Sequence, residues 1–258
     1  MPALISICIY TKPSGKKKGH SIIKQMSFLQ GIKNYYKDAI YGHAPGKKRP
    51  SEYTTFELSG IIATAALKFI MMEWLNMVAF YIAGISLFWI GYIIYRYNKN
   101  HAVLKKWGFG KAGFNQTIKF LLPFFIITVI SSVIIGNNSA SVTVLNWRVI
   151  PVMLLYPLWG LFQQYIMLVL IADNLVELEK IELKKYQAVL ITALLFSLVH
   201  YPSFPLMVFT FFMELLFLLA WFRWKNLLAL GLTHGLIATF LLFYILKRDL
   251  WLELFEWF

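Results

Sequence analysis

Pro205 to Phe222 reads PLMVFTFFMELLFLLAWF, a run in which Glu214 is the one charged side chain. At 1.5 Å of rise per residue it covers about 27 Å, close to the roughly 30 Å of hydrocarbon in a bilayer. A run of this kind reads as a transmembrane helix. Working outward from it, residues 56–72, 74–95, 118–136, 147–172, 187–201 and 227–246 read the same way. The expected fold is therefore all-α: a polytopic membrane helix bundle of about seven transmembrane helices. The first run is the weakest, because Glu57 and Lys68 interrupt it, and the second is expected to follow a tight hairpin near Glu73.

Composition agrees. Hydrophobic residues make up 59% of the chain and charged ones 14%, against about 25% charged in a soluble domain. The net charge of +13 is uneven. Lys16, Lys17, Lys18, Lys47, Lys48 and Arg49 all fall in residues 1–50, a basic N-terminal region ahead of the transmembrane domain at 51–258. Within it, Ile22, Met26, Leu29, Tyr36 and Ile40 recur at helical spacing, the pattern of an amphipathic helix lying on the membrane surface. Met26 is also a candidate start of the chain. Placing the N-terminus in the cytoplasm puts nearly all Lys and Arg inside, as the positive-inside rule requires, in a plasma membrane. Lys247 and Arg248 dissent, since they then fall outside. The basic residues flank apolar spans rather than forming a separate domain, so nucleic acid is not the expected partner. The bilayer is. Cys8 stands alone, which excludes an intrachain disulfide.

Polar side chains at membrane depth are costly, so each is a candidate functional residue. Gln163 and Gln164 sit side by side in the fourth span, His200 at the end of the fifth, Glu214 in the sixth and His234 in the seventh. Read singly, each is explained by a helix–helix hydrogen bond. Read together, two histidines from separate spans could hold a divalent metal or an activated water, with Glu214 as the acid.

Their order resembles the CPBP family, the CAAX-protease and bacteriocin-processing (Abi) intramembrane proteases, over a core of about 105–245. Lys105-Lys106-Trp107-Gly108-Phe109-Gly110 resembles the family's basic, Gly-containing segment. Gln163-Gln164 stands where the family has its paired glutamates, Phe196 and His200 match its Phe-x-x-x-His motif, and His234 begins its third motif. The resemblance implies an intramembrane endopeptidase acting on membrane-associated peptides or proteins, with His200, His234, Gln163 and Gln164 at the catalytic positions. The pattern departs where charge is needed: both glutamates are amides, Leu168 stands at the arginine position and Ala238 at the Asn/Asp position. An amide cannot serve as a general base near neutral pH. Two readings within the family follow, a divergent protease that uses Glu214 or a non-catalytic member that binds a membrane peptide or partner. From another class, a small transporter or lipid-binding protein is the alternative.

Overall fold

The computed structural model describes residues 53–137, 147–177, 183–249 and 251–252. The expected surface helix at 22–40, Met26, Cys8 and most of the tail after Asp249 lie outside them. Every regular element among the described residues is helical.

Helix α1 (Thr54–Lys68) runs on through a π-helical stretch, Phe69–Trp74. Helix α2 is Val78–Lys99. The turn between them is centred on Asn76, held at φ 53°, three residues beyond the Glu73 expected from sequence. Asparagine tolerates this left-handed conformation better than most side chains. Two bonds stitch the hairpin: Tyr81 Oη donates to the Thr64 carbonyl and Trp89 Nε1 donates to Thr64 Oγ1, each at 3.1 Å.

The short α3 (Val103–Lys106) leads to α4 (Phe114–Asn137). Helix α5 (Val149–Gln164) continues as a π-helical stretch, Tyr165–Asp173, and one further turn, α6 (Asn174–Glu177). Then come α7 (Lys185–Leu198), α8 (Phe204–Trp224) and α9 (Leu227–Phe240), the last extended by Leu241–Ile245.

Among the described residues, six helices are long and apolar enough to cross a membrane. The expected span at 187–201 is the exception. It is 14 residues long, about 21 Å at 1.5 Å per residue. It stops at Leu198 because Pro202 and Pro205 follow and cannot supply backbone N–H groups to a continuing helix. It runs antiparallel to α8: the Lys185 ammonium sits 4.9 Å from the Phe222 ring, and at the other end Ser197 Oγ donates to the Met207 carbonyl at 2.8 Å.

One end of the bundle is held by polar contacts the sequence did not announce. Glu57, which looked like a flaw in the first span, is buried and accepts from Tyr92, from Arg96 Nη1 at 2.5 Å and from Asn174 Nδ2 at 2.5 Å. It thereby ties the first hairpin to the π-helical end of α5. Asp173 accepts from Lys225 at 2.5 Å and Trp221 at 3.0 Å. The basic, Gly-containing segment docks here as well. Asn226 is fully buried, donates to the carbonyls of Gly110 (2.7 Å) and Ala112 (2.8 Å), and caps α9 by accepting from Ala229 N at 2.8 Å. Gly108 and Gly113 have φ of 74°. A Cβ on Gly108 would lie 2.5 Å from the Lys225 carbonyl oxygen, so only glycine lets this loop close on the α8–α9 turn.

Because Asn226 satisfies three backbone groups, Asn226→Ala should destabilise the protein by about 2 kcal/mol, the sum expected of a lost cap and orphaned buried carbonyls. Thermal or denaturant unfolding in a neutral detergent measures it. Asn226→Ser should recover part of the loss, since serine keeps a capping acceptor and loses the amide donors. A change below about 0.5 kcal/mol for alanine would show that the loop is not clamped by this side chain.

Candidate functional site

The site is built on the crossing of α5 and α9. Three glycines make that crossing closer than side chains allow. A Cβ on Gly160 would lie 2.6 Å from the Gly231 carbonyl oxygen and the Gly235 nitrogen. One on Gly235 would lie 2.4 Å from Pro157 Cα, and one on Gly231 2.5 Å from Leu161 Cα. Small residues give membrane helices this close approach. Gln164 lies one turn beyond Gly160 on the same face, and His234 adjoins Gly235, so the crossing drives the two side chains together.

Helix α8 supplies the third group. Gln164 Nε2 donates to Glu214 Oε2 at 2.9 Å and to His234 Nδ1 at 3.0 Å. Gln164 and Glu214 are fully buried and His234 is 4% exposed. An amide nitrogen carries two hydrogens and here spends both. His234 Nδ1 is thus the acceptor, and its ring proton resides on Nε2. Gln164 Oε1 and Glu214 Oε1 are buried without a protein partner.

His200 makes no hydrogen bond to this trio. Its Nδ1 faces the Phe196 carbonyl oxygen at 2.7 Å, and a carbonyl only accepts, so Nδ1 carries the proton. The Phe196 ring is edge-on to both imidazoles, 4.9 Å from His200 and 5.5 Å from His234 between centroids. The two histidines expected to share a metal are thus each packed against one phenyl ring and each committed at Nδ1 to a different partner. Among the described residues no group of three or more His, Cys, Asp or Glu is placed to hold a metal ion.

A cavity of about 740 Å³ opens beside the trio. It lies between α1, α2 and the inner faces of α5, α7, α8 and α9. Gln163, His200 and His234 line it, with Phe196, Thr210 and Met213; Gln164 and Glu214 do not. Adjacent amides on a helix point about 100° apart. That rotation divides the pair: Gln163 faces the cavity and Gln164 the protein interior. Leu168 is fully buried in the apolar core, and Ala238 lines the cavity. Trp159 also lines it, as do Lys68 and Arg248, which the sequence marked only as an interruption of the first span and an exception to the charge rule.

Comparison with protein-family models, curated proteins and solved structures returned no match.

Among the described residues Gln164 is the one side chain that donates to Glu214, so Gln164→Leu should destabilise the protein by about 1–3 kcal/mol, the penalty for an orphaned buried group. Gln164→Leu/Glu214→Leu should be less unstable than the sum of the two single variants, because the orphan is removed. Additive losses in a double-mutant cycle would sink the pairing. Gly235→Ala should cost about 1–3 kcal/mol by overpacking against Pro157, in the same unfolding assay.

Proposed function

We propose that this protein is a non-catalytic, CPBP-like membrane protein that takes the apolar chain of a membrane-associated partner into the cavity beside His234. The observation that supports it is the state of the acid. Glu214 is sealed from the cavity, and the amide that replaces a family glutamate stands between it and His234. A general base or acid must reach the water or leaving group it serves, directly or through one water. Glu214 faces a protein amide instead, and Gln163, which does face the cavity, has no acid–base chemistry near neutral pH. The neutralisation is coherent: Leu168 and Ala238 replace the charged and polar partners that a carboxylate would need. What remains is a cavity in the size range of small-molecule sites, with an apolar lining and a few polar groups.

The same reading places the Asp173 end in the cytoplasm. Arg96, Lys99, Lys105, Lys106, Lys225 and their neighbours gather there, as the positive-inside rule asks of a plasma-membrane protein with a cytoplasmic N-terminus. Helix α7 then counts as a short seventh pass, because it returns the chain from that end to the start of α8. A transporter is the weaker reading, since no internal repeat supports alternating access.

The test uses the full chain in lipid nanodiscs and a membrane peptide that carries a photoreactive alkyl chain. Irradiation should label cavity residues such as Thr210 or Met213, and Ala238→Trp, which fills the cavity, should suppress the labelling severalfold. The peptide should stay intact. Cleavage by wild type that disappears in His234→Ala would overturn the non-catalytic assignment, and labelling unaffected by Ala238→Trp would overturn the cavity as the binding site.

A further inference from the structure

The Gln163 amide, one nitrogen of His200 and one of His234 belong to residues that line the cavity. The bonds already made by the two imidazoles fix what each still offers. Gln164 donates to His234 Nδ1, so the neutral ring presents Nε2–H, a donor. His200 gives its Nδ1 proton to the Phe196 carbonyl, so the neutral ring presents Nε2 as an acceptor. Among the described residues neither Nε2 has a hydrogen-bond partner, and neither has the Gln163 amide. Nor is any of these atoms sealed in protein, as Gln164 Oε1 and Glu214 Oε1 are. They face the cavity. The Phe196 ring is edge-on to both imidazoles, at 4.9 and 5.5 Å between centroids, which sets the donor and the acceptor on one wall.

Charge, in contrast, is already matched. Lys68 pairs with Glu73 at 3.5 Å, Arg248 is engaged by other groups of the protein, and the described lining contains no Asp or Glu. A charged head of either sign would enter without a free counter-charge, and an unpaired charge is costly to bury. Several lining hydroxyls are spent as well: Thr64 donates to Gly60 O, Thr210 to Leu206 O and Tyr81 to Thr64 O. Most of the remaining lining is apolar. A peptide segment brings an N–H and a C=O at nearly every residue, and such a lining would leave many of them unmatched.

We infer that the occupant is a neutral single-chain lipid whose head both donates and accepts a hydrogen bond, a hydroxyl or a primary amide. The head donates to His200 Nε2 and accepts from His234 Nε2–H or from the Gln163 amide. This names the ligand class of the proposed cavity and rests on the reading that the cavity takes an apolar chain. An ether or ester head only accepts, so it leaves His200 Nε2 unmatched. A bare hydrocarbon satisfies neither ring. The chain finds apolar surroundings in bilayer and cavity alike, so the head supplies the selectivity.

The experiment adds bromine-carrying hexadecanol, hexadecanamide, methyl hexadecyl ether and hexadecyl phosphate, at equal mole fractions, to the full chain in uncharged nanodiscs. Trp159 lines the cavity, and its saturable quenching is read as the difference between wild type and Trp159→Phe. The alcohol or the amide should bind severalfold tighter than the ether, as one additional neutral hydrogen bond implies, and tighter than the phosphate. In His200→Phe, which keeps an aromatic ring and removes the acceptor, the preference over the ether should vanish while the ether still binds. The comparison of probes on the wild-type protein decides the matter even if that variant fails to fold. A preference for only one of alcohol and amide supports the inference and names the head. Equal binding of alcohol, amide and ether, tightest binding of the phosphate, or a preference that survives His200→Phe overturns the donor–acceptor head while the chain-binding cavity stands. No Trp159-dependent quenching by any probe overturns both.

Discussion

The contact on which the site depends is the approach of α5 to α9 through Gly160, Gly231 and Gly235. Each presents backbone where any other residue would present a side chain, and each hypothetical Cβ meets backbone at 2.4–2.6 Å. In lipid there is no hydrophobic force between helices beyond what lipid tails also offer. Packing of this closeness, with hydrogen bonds formed across it, has to supply the association. The crossing does both, because it sets Gln164 and His234 at hydrogen-bonding distance. Were the helices held farther apart, Gln164 would lose the acceptor that its second hydrogen needs.

A second constraint follows from burying polar groups where no water compensates them. The protein treats its two deep carboxylates in opposite ways. Glu57 is surrounded by donors, with Arg96, Tyr92 and Asn174 converging on it, and joins the first hairpin to the core. Glu214 receives a single amide, and one of its oxygens has no protein partner. The former is a joint. The latter sits on the wall behind His234, one residue layer from the cavity. Phe196 belongs to the same wall, with its ring edge-on to both imidazoles.

The charge pattern acquires a physical account in the same way. Among the described residues, most Lys and Arg gather at the Asp173 end, where Arg96, Lys106 and Lys225 pair with Glu57, Glu177 and Asp173. The minority at the other end includes the two cations that face the cavity.

The class of the protein was legible in the chain, because apolar runs of spanning length can be satisfied only as helices in lipid. Glu214, Gln164 and His234 were legible as candidates for the same reason, each being too polar for its depth. The short α7 was not, since the apolar run continues past the point where Pro202 and the turn at His200 end the helix. Nor was Glu57, whose partners Arg96 and Asn174 lie 39 and 117 residues away. Sequence alone determined which groups must find partners. Only the tertiary structure decided which partners they found, because rotation about each helix axis sends Gln163 into the cavity and Gln164 to Glu214, and that rotation is set by the glycine contact with a neighbouring helix rather than by anything local to the two amides.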